Sequence, residues 1–114
     1  MIDISNFCGK DFKVVTEAEK WKIGFLRYSD RFSKFTALER HLLTDEAFIL
    51  QKGKAVLYIE NENGVMVKYK MKKLQVYNVR KKVWHHITVS KNATVMVVEN
   101  QNTSKENTER RSLI

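Results

Sequence analysis

The sequence has no proline and a single cysteine. Without proline, tight turns fall to Gly, Asn, Asp and Ser. Cys8 alone cannot make an internal disulfide. A lone thiol suits a reducing compartment, so the chain is expected in the cytoplasm. No activating base lies near Cys8 in the sequence, which makes it a small buried or half-buried residue rather than a nucleophile. No apolar run approaches the ~20 residues that span a bilayer. The start, MIDISNFCGKDF, lacks the basic-then-apolar pattern of a signal peptide. Neither G-x-G-x-x-G nor a P-loop occurs, so no bulky nucleotide cofactor is indicated. Acidic residues are missing from one long stretch, Gly64 to Val98, which holds eight basic residues: Lys68, Lys70, Lys72, Lys73, Arg80, Lys81, Lys82 and Lys91. That half carries the whole formal charge of +8. An excess this local favours anions through its summed field. Alternating lysines on a strand are a solvated face, and no aromatic-basic signature of an RNA-binding sheet accompanies them, so nucleic acid is not an expected partner.

What is present suits one domain over residues 1–114, with an ordinary apolar content and enough length to bury one core. Short β-rich runs recur every 8–12 residues or so, the spacing of a sandwich or barrel. The expected strands are Phe35–Leu43, Ala47–Lys52, Lys54–Glu60, Val65–Lys72, Gln75–Val79, Trp84–Val89 and Ala93–Glu99. Asn61-Glu62-Asn63-Gly64 is the clearest hairpin signal. Val65, Val67, Tyr69 and Met71 alternate with Lys68, Lys70 and Lys72, the pattern of a half-buried strand. Upstream, Trp21–Tyr28 reads as a strand and Thr16–Trp21 as one helical turn or more. The polar tail, about residues 100–114, has no period and either wraps the barrel or stays loose.

Strand parity singles out three residues. His41 shares a face with Ala37, Glu39 and Leu43; Glu46 with Phe48 and Leu50; His85 with Ile87 and Val89. Each lies on a face that otherwise reads as core. A carboxylate and two imidazoles in an apolar interior are costly unless something satisfies them. A divalent metal does so, and two His with a carboxylate is a recurrent set for Zn, Fe, Mn, Ni or Co. His86 and Trp84 fall on the opposite face and read as surface or interface residues. Tyr58, Tyr69 and Tyr77 belong to the core or its rim.

The spacing resembles the cupin superfamily. Glu39-Arg40-His41, four residues, Glu46, six residues, Gly53 matches the first cupin motif, with Glu39 where the family usually has a His. Arg80-Lys81-Lys82-Val83-Trp84-His85 matches the end of the second motif, with its Pro and Gly replaced. The resemblance implies an all-β double-stranded β-helix, or jelly-roll barrel, with a core of about residues 35–99 and a short N-terminal extension. It also implies a metal held by His41, Glu46 and His85. Glu39 is expected to complete the ligand set, to act as a catalytic base, or to pair at the rim with Arg40 or a lysine. The implied function is binding of, or metal-dependent chemistry on, a small polar metabolite. The charge favours an anion such as a sugar acid, sugar phosphate or keto acid. A non-catalytic ligand-binding or sensor module is the alternative. A homodimer is expected, with Trp84, His86 and the N-terminal segment as contacts, because a small barrel has strand edges to cover.

Overall fold

The computed structural model describes residues 1–114. Ten strands form two five-stranded antiparallel sheets. In chain order they are β1 (Phe12–Glu17), β2 (Trp21–Arg27), β3 (Ala37–His41), β4 (Glu46–Lys52), β5 (Ala55–Glu60), β6 (Met66–Lys70), β7 (Val76–Val79), β8 (His85–Val89), β9 (Thr94–Asn100) and β10 (Thr108–Ser112). One sheet runs β1-β2-β9-β4-β7 and the other β10-β3-β8-β5-β6. The expected strands from Phe35 onward agree with β3–β9 to within about two residues. No helix is long and apolar enough to cross a membrane.

Alternating burial drives the packing. On β9, Val95, Val97 and Glu99 point inward, and on β4, Glu46, Phe48 and Leu50 do the same. Thirteen buried side chains from both sheets form one core, including Leu26, Phe48, Leu57, Ile87 and Val97. Each such side chain taken out of water contributes about 1.5–3 kcal/mol. β6 lies at a sheet edge, so of its expected apolar face only the adjoining Met71 is buried, while Tyr69 is exposed.

The turns use the residues that the missing proline leaves. Asn61 Oδ1 accepts from the backbone N–H of Asn63 and Val65, and Gly64 has φ +74°. Gly53, between β4 and β5, has φ +79°, and a Cβ there would lie 2.7 Å from Ala93 Cα. Only glycine fits both demands.

The structure corrects two N-terminal expectations, the helical turn at Thr16–Trp21 and the burial of Cys8, and decides between the two alternatives for the tail. Thr16–Trp21 is not helical: it is the close of β1 and a short turn into β2, which runs antiparallel to it. These strands are members of a sheet, so the barrel starts at Phe12 rather than Phe35. The tail is not loose either, because β10 pairs with β3 over Thr108–Ser112. As an edge strand, β10 buries little of either face, which removes the alternation a sequence reading depends on. Cys8 is exposed, since the segment before β1 lies outside both sheets.

Candidate metal centre

Three strands bring the three expected ligands together. His41 ends β3, Glu46 opens β4 and His85 opens β8. All three are buried, and one donor atom from each lies within 4.8 Å of the others. His41 Nε2 and His85 Nε2 lie 3.0 and 3.1 Å from the same Glu46 Oε1. Donors about 2.1 Å from a first-row divalent ion and at right angles to one another stand about 3.0 Å apart. The two histidine-to-Glu46 separations are therefore compatible with adjacent ligands on one ion, and the two imidazole nitrogens lie within 4.8 Å of each other.

The outer nitrogens decide which lone pairs face inward. His85 Nδ1 lies 3.0 Å from the carbonyl of Val83, which only accepts, so this nitrogen carries the proton. His41 Nδ1 lies 2.8 Å from Thr108 Oγ1, which itself donates to the carbonyl of Ser104 at 2.7 Å. The Thr108 hydroxyl hydrogen is thus committed, and His41 Nδ1 is the donor to it. In the neutral form both rings then aim bare Nε2 lone pairs at a carboxylate. Only protons or a cation between them relieve that arrangement. Metal-binding histidines are oriented in this way by a partner on the other ring nitrogen.

The electrostatics agree. Burial of Glu46 acts to raise its pKa, but hydrogen bonds and charge from His41 and His85 overcome it and hold the carboxyl well below the usual range. Burial of His41 acts to lower its pKa; Glu46, with help from Glu99 and Glu39, wins and raises it.

Glu39 is not drawn into the cluster. It lines the same cavity, but its Oε1 takes a hydrogen bond from Arg31 Nη2 at 3.3 Å, a rim pairing with Arg31 in place of the expected Arg40 or lysine, since Arg40 is taken by Glu109. Arg31 sits in the connection between β2 and β3, which sequence parity does not place. The residue the sequence reading missed is Glu99. It faces Glu46 directly in the β4–β9 register and is buried. Burial, and then the charge of Glu46, push its pKa up to about 8, so at neutral pH it is largely a neutral acid hydrogen-bonded to Glu46. Lys22 Nζ approaches it at 4.0 Å and donates to the Thr103 carbonyl at 2.7 Å. The signal was available: Glu99 continues the inward parity of Val95 and Val97.

The cluster opens on a cavity of about 860 Å³ between the sheets. Its cations are Lys22, Arg31, Lys105 and Arg110, whereas Arg80, Lys81 and Lys82 of the acid-free half do not line it. The Lys81 and Lys82 N–H groups bond Asp45 and the His41 carbonyl, which fixes the loop before His85. Tyr69, Tyr77 and Arg80 line a separate cavity of about 520 Å³. Tyr58 stacks on Phe35 at 4.2 Å. Trp84 lies between Arg40 and Arg111, 4.5 and 4.8 Å from its ring centre. His86 bonds the Lys34 carbonyl at 2.9 Å and reaches the margin of the large cavity. Burial lowers its pKa.

Solved structures with this arrangement of strands are numerous. A cupin-2 domain protein of Shewanella frigidimarina superposes with a TM-score of 0.66 at 18% identity, over 83% of this chain and 85% of that one. The chain has the cupin fold. A Streptomyces Pac13 variant with uridine gives a TM-score of 0.70 at 11% identity, over 100% of this chain and 94% of that one. Pac13 is described as a nucleoside dehydratase. Oxalate decarboxylase of Bacillus subtilis gives 0.63 at 19% identity, over 83% of this cupin-fold chain but 24% of the enzyme. No protein-family model matches the sequence, and no curated protein matches it. At these identities the likeness concerns the fold.

Proposed function

We propose that this cupin-fold protein holds a first-row divalent ion on His41, Glu46 and His85 and uses it to bind a small anionic metabolite in the adjoining cavity. The observation that carries the reading is the pair of fixed Nδ1–H groups, which leaves both Nε2 lone pairs converging on Glu46 Oε1. Support comes from oxalate decarboxylase, a neighbour with Mn(II) centres. Two imidazoles and a carboxylate suit Mn, Fe, Co, Ni or Zn. When bound, the ion supplies a Lewis acid for a carbonyl, carboxylate or phosphoryl oxygen. The chain's own residues do the rest. Thr108 and the Val83 carbonyl orient the imidazoles, Glu46 offsets the ion's charge, and the barrel wall excludes water. Glu99 holds a proton beside Glu46, and Glu39, on the same cavity, is the candidate base.

The alternative is a binding module without turnover. The ion pair of Glu39 with Arg31 favours it, because a paired carboxylate is a poorer base. The test is reconstitution. Protein stripped with chelator and titrated with Mn2+ or Co2+ is expected to take up one ion per chain, and His41→Ala or His85→Ala to abolish uptake without unfolding. A well-folded wild type that takes up no ion rejects the proposal. Glu39→Gln then separates the two readings: lost turnover with intact ligand binding assigns catalysis, and unchanged behaviour assigns a spectator.

A further inference from the structure

We infer that the C-terminal segment sets the ligand class of this cavity: Lys105 and Arg110 receive the anionic group of a molecule whose apolar, ring-sized body lies against Phe12, Phe32 and Phe48. The inference rests on the proposed function for the cavity being a ligand site, and does not need the ion itself.

Charge comes first. The cavity wall carries four cations, Lys22, Arg31, Lys105 and Arg110, against two charged carboxylates, Glu39 and Glu46, and the largely protonated Glu99. Two of the cations are already engaged. Lys22 serves Glu99 and the Thr103 carbonyl, and Arg31 serves Glu39 and Asp11. The chain's ion pairs use Lys22, Arg31, Arg40 and Arg111 and leave Lys105 and Arg110 without a carboxylate. Any bound divalent ion adds further positive charge. The unspent charge in the cavity is therefore positive, and it belongs to the C-terminal segment rather than to the acid-free half of the sequence. An arginine and a lysine lining one cavity suit a phosphate or carboxylate.

Position follows from register. On β10, Thr108 stands opposite His41 and Arg110 opposite Glu39. Arg110 is thus one pleat from the residue that orients a metal ligand, about 7 Å along the strand. Arg110 and the histidine cluster thus border the same cavity at successive inward positions of the β10–β3 pair. Size narrows the ligand. A cavity of about 860 Å³ leaves a two- or three-carbon acid mostly surrounded by empty space, whereas pockets of roughly 300–1,000 Å³ enclose ring-containing ligands. The apolar part of the wall includes half-buried Phe12 and the edges of the buried Phe32 and Phe48.

Phenyl phosphate, inorganic phosphate and phenol probe the body and the charge separately. Titration calorimetry on the purified protein, before and after Mn2+ loading, is expected to rank phenyl phosphate at least about tenfold tighter than either fragment. Lys105→Ala and Arg110→Ala are each expected to weaken it about tenfold, with Mn2+ uptake unchanged, and Lys68→Ala on the far sheet edge to have no effect. Both residues are exposed, so the variants keep the wild-type melting temperature. Phenol binding as tightly as phenyl phosphate overturns the inference, as does phenyl phosphate affinity indifferent to both substitutions. Phenyl phosphate binding that depends on Lys105 and Arg110 in protein that takes up no Mn2+ upholds the inference and overturns the metal reading instead.

Discussion

Glu46 and Glu99 face one another across β4 and β9, and at neutral pH they divide the labour, one charged and one neutral. The division has a consequence for stability. A carboxyl whose pKa rises on folding holds its proton more tightly in the folded state, so stability falls as pH climbs from its unfolded value to its folded one. For Glu99 that window runs from the ordinary glutamate value of 4.5 to about 8. His41, also raised, adds a decline in the same direction above the ordinary histidine value of 6.5. Glu46 acts oppositely: its contribution is present above 4.5 and is lost as acid protonates it. Metal-free protein is therefore expected to be most stable in weak acid and to lose melting temperature towards pH 8, with Glu99→Gln flattening the slope. A melting curve that rises steadily from pH 5 to 8 contradicts this assignment. At this scale the sequence was legible where parity and spacing agreed, at His41, Glu46 and His85. It was not legible where a partner comes from an unpatterned loop, as Arg31 does for Glu39, and Glu99 lay open to the parity argument without being reached by the motif.

The last strand shows what an element adds to a site. β10 buries little, yet it supplies Thr108 to His41 and, with the turn before it, five residues of the cavity wall: Thr103, Ser104, Lys105, Thr108 and Arg110. Its sequence is polar and without period because one side is a free edge and its outer face carries charges such as Glu109, paired with Arg40 at 2.6 Å. Alternation reveals a strand only when one face is covered. Thr108→Val removes the acceptor for His41 Nδ1 while keeping shape, and metal affinity is expected to fall by roughly 10–100-fold, read by competition with a chelator of known affinity. Unchanged affinity would show that Thr108 has no part in orienting His41. Gly53 makes the companion case for a turn: Gly53→Ala forces a side chain into a left-handed conformation against Ala93 and is expected to cost about 1–3 kcal/mol in denaturant unfolding. Here the sequence motif and the backbone demand coincide, which is why the residue was recognisable in advance.

On the scale of the whole molecule, the core and the candidate centre are separate assets. The thirteen apolar side chains of the core span both sheets, and the centre meets them only at the margin, where Phe48 lies edge-on to His85 at 5.9 Å. Loss of a metal ligand should spare the fold, while Leu57→Ala, at 2% exposure, should cost about 2–5 kcal/mol and leave metal stoichiometry unchanged in the folded fraction. The same separation bears on assembly. Of the three contacts the sequence suggested for a homodimer, two are occupied within the chain: Trp84 by Arg40 and Arg111, His86 by Phe35 and the Lys34 carbonyl. The free edge of β6 carries Lys68 and Lys70, the kind of charge that discourages edge pairing. What remains is the segment before β1, where Ile2 and Ile4 are 81% and 86% exposed and alternate with polar residues as a strand does. We propose that this segment pairs two copies of the chain. Light scattering is expected to give about twice the 13.4 kDa of one chain, and Ile2→Asp with Ile4→Asp to return a monomer whose melting temperature and metal uptake match the wild type. A wild type that scatters as a single chain at micromolar concentration rejects the dimer. A double variant that remains dimeric moves the interface to another edge.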